Sequence, residues 1–327
     1  MKKTKTIFLS CLLLFSATGC GMQKNQQSDE QLYEKNFIYF DTVIGLQFYA
    51  GENGQELMDH CIEMCGEYEN TFSRTSETSE LYAINHRTEN TVTVSDDVAE
   101  LISVGLKYYQ ISNGKFDITV APLSDLWDFK SEDASVPDAD DIAEALSKVG
   151  ADQLSLSGNT LTFASDDVMI DLGALVKGFA ADQMKTYLTE NGVTSGLLNL
   201  GGNVLTIGSR PDGSDWSIGI QKPFDDNDPI IDVVKVKDQT VVSSGIYERY
   251  FKQDGVIYHH ILDPDTGYPI QNDLWGVSII CDSSLTGDAL STTCMTLGYE
   301  KANDLIQSLD QTEAEFILDD CKLKKTF

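Results

Sequence analysis

From residue 37 to residue 50 the chain reads FIYFDTVIGLQFYA, a run dominated by aromatic and β-branched positions, and this predicts a strand. The period then changes. In GQELMDHCIEMCGEYEN, Leu57, Cys61, Cys65 and Tyr68 recur three and four apart, which puts them on one face of a helix. SDDVAELISVGLKYYQISNG repeats that spacing between a Ser95 cap and a Gly114 stop, and is the clearest helix of the chain. LSLSGNTLTF predicts a hairpin. DLGALVKGFAADQMKTYLTENG starts as a strand end and becomes a helix closed by Gly192. Short alternating runs follow, namely GLLNLGG, WSIGIQ, IDVVKV, QTVVSSG, VIYHHILD and WGVSIIC, with Gly, Asp and Pro between them. The pattern is α+β, with helices packed on largely antiparallel sheet, and no linker divides it.

The first residues, MKKTKTIFLSCLLLFSATGC, combine lysines at 2, 3 and 5 with an apolar run from Ile7 to Phe15 and small residues before Cys20. That is the make-up of a secretory signal, and ATGC resembles the lipobox of bacterial lipoproteins, in which the Cys carries the lipid. The expected organisation is a signal over residues 1–19, a polar tether over 20–36 beginning at Cys20, and one domain over 37–327. The formal net charge of -29 argues against nucleic acid as a partner and against a basic membrane-binding face. Of seven cysteines, Cys11 and Cys20 lie in the leader; Cys61, Cys65, Cys281, Cys294 and Cys321 are read as small core residues rather than as a disulfide framework or zinc site.

Several short stretches carry possible chemistry. DLGALVKGF places Lys177 just inside a helix N-terminus, where unpaired amides and a point charge suit a phosphate; a plain helix start explains it equally well. It is neither a P-loop nor a dinucleotide fingerprint. The glycines of NLGGN allow close backbone approach or a tight turn. His260 precedes the turn signal DPDTG. GDALSTT, read as a helical turn beginning at Asp288, stacks Asp288 and Thr292 four apart, an oxygen pair that suits a hard cation. Alone, it is equally an acidic first turn complementing a helix dipole.

Taken together and in order, FDT, SRTSETSELYAIN, GKFDITVAPLSDLW, DLGALVKGFAAD, NLGGNVLTIG, SSGIYERYF, HHILDPDTGYP and GDALSTTCMTLG resemble the FAD:protein FMN transferases, the ApbE family, from about Phe37 to Leu297. The resemblance implies the family's T-fold-related α+β single domain and a magnesium-dependent enzyme. Such an enzyme splits FAD at its pyrophosphate, releases AMP and joins FMN by a phosphodiester to a Thr or Ser of a target protein. It further implies Mg2+ ligands at Asp288, Thr292 and the carbonyl of Ala174, with Lys177 on the pyrophosphate. Lys115, Phe116 and Asp117 are expected on the flavin and its linker, and Phe40, Asp171 and Leu262 at other FAD contacts. His260 is the candidate for organising the incoming hydroxyl. With a lipid on Cys20, the expected place is the outer face of the cytoplasmic membrane, and the expected partner an extracytoplasmic acceptor protein of an electron-transfer system. Two departures stand out. The family's Met-Gly-Thr is Phe40-Asp41-Thr42 here, and an aromatic position of the SxY segment is Thr75. Less ring stacking there points to FAD hydrolysis as an alternative activity, with a non-catalytic flavin-binding lipoprotein as the alternative of a different class.

Overall fold

The computed structural model describes residues 30–225, 227 and 229–327; the signal, Cys20 and most of the tether lie outside the described residues. The chain begins as a hairpin of β1 (Gln31–Tyr39) and β2 (Thr42–Ala50). The stretch expected to be one strand is therefore two, because Phe40 and Asp41 both take positive φ, 54° and 55°, and turn the chain between the paired Tyr39 and Thr42. The tether also ends earlier than residue 36. Tyr33 stacks on Phe48 at 6.1 Å and its hydroxyl donates to Gly51 O at 3.0 Å, which ties the start of β1 to the fold.

Next come α1 (Gly54–Phe72), α2 (Glu80–Asn85), β3 (Thr91–Thr93) and α3 (Asp96–Ile111). The expected cap is present: Ser95 Oγ accepts from Val98 N at 3.4 Å, and Gly114 N closes the far end on Tyr109 O at 2.8 Å. Two short helices, α4 (Ala121–Trp127) and α5 (Ala139–Leu146), lead to the hairpin β4 (Leu154–Ser157) and β5 (Thr160–Phe163). Then follow α6 (Val176–Glu190), β6 (Gly196–Leu200), β7 (Asn203–Ile207), β8 (Trp216–Gln221), β9 (Ile230–Val236), β10 (Thr240–Gly245), β11 (Tyr250–Gln253), β12 (Val256–His259) and β13 (Leu274–Cys281). The chain finishes with α7 (Ser284–Leu297), α8 (Tyr299–Gln307), β14 (Glu313–Leu318) and β15 (Leu323–Lys325).

Eight strands make one sheet in the order β1-β2-β6-β7-β10-β13-β14-β15, every pairing antiparallel. Alternation divides its side chains between two faces. Leu198, Leu200 and Leu205 meet α1 and α6, whereas Leu197, Val204, Val241, Ile280 and Ile317 face the β8–β9 ribbon with its Trp216, Ile218 and Ile220. The largest core lies where α7, α8, β13 and β14 meet α3 and the small sheet β3-β5-β4. Cys61, Cys65, Cys281 and Cys294 are buried and free, in keeping with their reading as small core residues, whereas Cys321 is free but only half-buried, in the turn between β14 and β15. Among the described residues no helix is long and apolar enough to cross a membrane.

Candidate active site

Two helices meet end to flank here. The α6 N-cap is Leu175, whose side chain has no acceptor, and Asp288 of α7 supplies the carboxylate instead: Gly178 N donates to Asp288 Oδ2 at 2.6 Å. The favour is returned. Asp182 of α6 accepts from Ser283 Oγ at 2.8 Å, Ser284 N at 2.8 Å and Leu285 N at 3.0 Å, capping α7. Gly178 permits this approach, since a Cβ there would stand 2.4 Å from Ser284 O and 2.7 Å from Leu285 Cα.

Asp288 does not open its own helix, as the sequence pattern suggested. α7 begins four residues earlier, capped by Ser283 Oγ on Thr286 N at 3.2 Å, so Asp288 sits in the second turn and an acidic first turn no longer explains it. It is 5 % exposed. Burial pushes its carboxyl up from the ordinary range, while the Lys177 charge, the Gly178 amide and Asn203 pull it down. Thr292, one turn on and half-buried, shares its face. Ala174 lies one turn ahead of Gly178 on the segment that this amide draws against α7. The Asp288 carboxylate, the Thr292 hydroxyl and the Ala174 carbonyl are all oxygen donors, a chemistry that suits Mg2+ better than a softer ion. Among the described residues, no group of three or more His, Cys, Asp or Glu side chains gathers in the way that could hold a metal ion by side chains alone.

The charge of Lys177 also reaches His260. His260 follows β12, and its amide and Nδ1 both face Arg249 O, at 3.1 and 3.3 Å. With Nδ1–H donating, Nε2 keeps its lone pair. Desolvation of the ring, then the charges of Arg249, His259 and Lys177, push this imidazole down to about 3, so it is neutral near pH 7. Arg249 also touches electrostatically on Asp41 at the tip of the β1–β2 hairpin, so the FDT turn and the His260 segment border one region. The NLGGN turn joins them, because a Cβ on Gly201 would stand 2.3 Å from Thr42 Oγ1.

The remaining expected residues are placed less uniformly. The segment entering α6 is not a strand end: it is extended chain pinned by Asn85, which bonds Ile170 O at 2.8 Å and Ile170 N at 2.7 Å. Asp171 Oδ1 accepts from Gly173 N at 2.8 Å and shapes the turn before Ala174, while Oδ2 pairs with Arg74 Nε at 2.9 Å. Arg74 holds Asp125 too, at 2.7 Å. Arg74 lies in the SRTSETSELYAIN stretch but is not among the candidate site residues above; its one sequence signal is an arginine beside a carboxylate-bearing motif. Lys115 is engaged by Asp263 at 2.7 Å and Asp265 at 2.8 Å. Phe116 is 3 % exposed and packs near Tyr108 in the core, and Asp117 takes Thr119 N, Thr119 Oγ1 and Ala151 N. Both thus act inward, fixing the loop that presents Lys115. Phe40 lies between the two larger cores, its amide on Glu69 Oε1 at 2.8 Å, and Leu262 is buried with Trp127 and Leu123.

The ApbE family profile matches residues 40–316. A FAD:protein FMN transferase of Klebsiella pneumoniae (strain 342) is 34 % identical over 293 residues, 89 % of this chain and 90 % of that protein. One of Treponema pallidum (strain Nichols) is 31 % identical, covering 89 % and 86 %. The crystal structure of the Thermotoga maritima ApbE protein superposes with a TM-score of 0.82 at 30 % identity, covering 90 % of this chain and 97 % of that one.

Proposed function

The chain belongs to the ApbE family and is an enzyme that transfers flavin from FAD to a target protein, and on that premise we propose that it joins FMN to a Thr or Ser hydroxyl and releases AMP. What supports the site assignment most is the Gly178–Asp288 bond, which joins DLGALVKGF to GDALSTT across 110 positions of sequence.

In this reading the acceptor oxygen forms a bond to the FMN phosphorus, and the bond from that phosphorus to the AMP oxygen breaks. His260 Nε2 is the group free to take the hydroxyl proton, its tautomer set by Arg249 O. An imidazole held near 3 is a weak base, but the pyrophosphate of FAD brings negative charge beside it and shifts it upward. Lys177 holds the pyrophosphate and offsets its charge. Asp288, Thr292 and the carbonyl of Ala174 would hold Mg2+, which supplies neutralisation of the phosphates as they react. Asp171 and Arg74 keep the Ala174 turn in place. The test is direct: purified enzyme, FAD and Mg2+ are incubated with and without a candidate acceptor protein, and AMP and the FMN adduct are both assayed. Absence of AMP under all conditions would sink the reading.

We also read Cys20 as the lipid-bearing residue, with residues 1–19 removed, the enzyme on the outer face of the cytoplasmic membrane, and an extracytoplasmic electron-transfer protein as acceptor. The ATGC stretch supports this. One observation favours hydrolysis as a second outcome. Thr75 is exposed and bonded only within its own turn, to Ser73, so no ring stands at that place and water has easier access.

A further inference from the structure

Beneath α7 runs a seam of buried hydroxyl and amide groups that none of the roles above uses. Thr240 Oγ1 on β10 lies 3.1 Å from Ser284 Oγ on α7. Ser284 Oγ in turn donates to Asn203 Oδ1 at the start of β7. Asn203 is 1 % exposed, its Nδ2 has no hydrogen-bond partner, and Ser284, to which its Oδ1 is bonded, stands one turn before Asp288 on the same face of α7. A primary amide offers two donors, and leaving both unmatched in a dry interior costs on the order of 1–3 kcal/mol. An amide kept in such a place needs a reason beyond packing.

The orientation follows from its partners. Ser284 can donate one proton, and Asn203 Oδ1 receives it, so Nδ2 is turned the other way. The NLGGN turn carries it there: Gly202 N is held by Asn199 Oδ1 at 3.1 Å and Ser243 N by Gly202 O at 3.3 Å, which fixes Asn203 where it enters β7. Ser284 O–H donates to Asn203, whose N–H side is turned towards Asp288, while Thr240 Oγ1 gives its own proton to Val204 O at 3.0 Å and lies beside Ser284 Oγ. Gly178 already occupies Oδ2 of that carboxylate. A second donor arriving from a different direction would restrict its rotation.

We propose that Asn203 is a positioning residue for the cation site: it orients the Asp288 carboxylate through its Nδ2, and is itself aimed by Ser284. The proposal rests on the reading of Asp288 as a cation ligand. It gives the NLGGN stretch a function that neither a tight turn nor close backbone approach explains, because those need the glycines and not the terminal amide.

The experiment compares wild type, Asn203→Ala, Ser284→Ala and Asp288→Asn, each titrated with Mn2+ alone and followed by the loss of free Mn2+ signal in electron paramagnetic resonance. The same proteins are assayed for FMN transfer against Mg2+ and against FAD at saturating Mg2+. Groups that orient metal ligands change affinity roughly 10–100-fold when removed, and Asn203→Ala is expected within that span, Ser284→Ala in the same direction and smaller. The KM for FAD at saturating Mg2+ is expected to stay put, which a merely structural defect would not spare. Wild-type Mn2+ affinity in folded Asn203→Ala, alongside lost affinity in Asp288→Asn, overturns the proposal. If Asp288→Asn itself binds Mn2+ as wild type does, the cation reading fails instead. Should Asn203→Ala not fold, Ser284→Ala decides by the same criterion, and unchanged affinity in it overturns the proposal.

Discussion

Gly178 N and Asp288 Oδ2 stand 2.6 Å apart, and around this bond each of two helices completes the other's first turn. Asp182 does for α7 what Asp288 does for α6. The two helices are thereby locked in register, and the residues proposed for phosphate and cation are carried on the locked segment.

Gly178→Ala is the sharpest steric test of that lock. Its Cβ would press on backbone atoms, Ser284 O and Leu285 Cα, which cannot rotate away as a side chain could. Overpacking of this kind costs about 1–3 kcal/mol, so the melting temperature should fall while the protein still folds. Transfer should fall further than stability does, since separation of α6 from α7 parts Lys177 from Asp288. Calorimetry and a transfer assay at a temperature well below melting check the two effects independently.

His259 supplies a pH prediction with a definite sign. It is 3 % exposed, its Nε2–H donates to Ile270 O at 3.0 Å, and Nδ1 accepts from Ile261 N at 3.3 Å. A proton on Nδ1 would set a donor against a donor, and burial pushes the imidazole down from 6.5 to about 4. The folded pKa is the lower one, so the unfolded chain binds the extra proton first. Stability is intact above about pH 6.5 and declines as pH falls towards 4, by about 3 kcal/mol in all. Asp117 and Glu315, pushed up by burial, slope the other way, so the difference between wild type and His259→Gln isolates the histidine. Urea unfolding at pH 7, 5.5 and 4 measures it. A parallel shift at all three values would refute the assignment.

What the sequence disclosed locally and what it hid have physical causes. α3 was legible because Ser95, the apolar period and Gly114 all belong to one continuous stretch, and β4–β5 because its turn residues are adjacent. The β1–β2 turn was hidden by its composition, for Phe40 and Asp41 adopt a conformation usually given to Asn-Gly. The start of α7 was hidden because part of its cap comes from Asp182 on another helix. Side-chain chemistry was legible only as residue types: GDALSTT names a carboxylate and a hydroxyl, but that Asp288 reaches Gly178 is a tertiary fact. Phe116 shows the converse, since an aromatic residue in a motif looks the same whether it stacks on a ligand or, as here, fills the core.

Arg74 pairs with Asp171 and Asp125 and is only 18 % exposed at its side chain. Arg74→Gln leaves two carboxylates facing one another without their shared cation. A partly buried pair broken on one side costs about 1–3 kcal/mol at this exposure, less than the 3–5 of a fully buried one. Because Asp171 shapes the turn ahead of Ala174, the KM for FAD and the Mg2+ requirement should both rise. Adding Asp125→Asn should recover part of the stability, and a double-mutant cycle on melting gives the coupling. Strict additivity of the two changes would show that the network does not act as one.

The last prediction sets charge against shape at Asp288. Asp288→Asn keeps the volume and retains a carbonyl oxygen that can accept from Gly178 N, so the α6–α7 lock survives. Burial already works against the ionised carboxylate, and neutralising it should leave stability nearly unchanged or slightly higher. A helix-capping role alone therefore predicts a nearly active variant, since Asn caps about as well as Asp. A ligand role predicts the reverse, because one lost electrostatic contact of this kind lowers a rate on the order of a hundredfold or more. Thr292→Val is the companion: it is nearly isosteric, removes only the hydroxyl, and should weaken the Mg2+ dependence while sparing the melting temperature. FMN transfer measured against Mg2+ concentration for both variants, beside their thermal unfolding, separates the two accounts. Wild-type Mg2+ dependence in a well-folded Asp288→Asn enzyme would reduce this carboxylate to a cap and remove the cation from the pair.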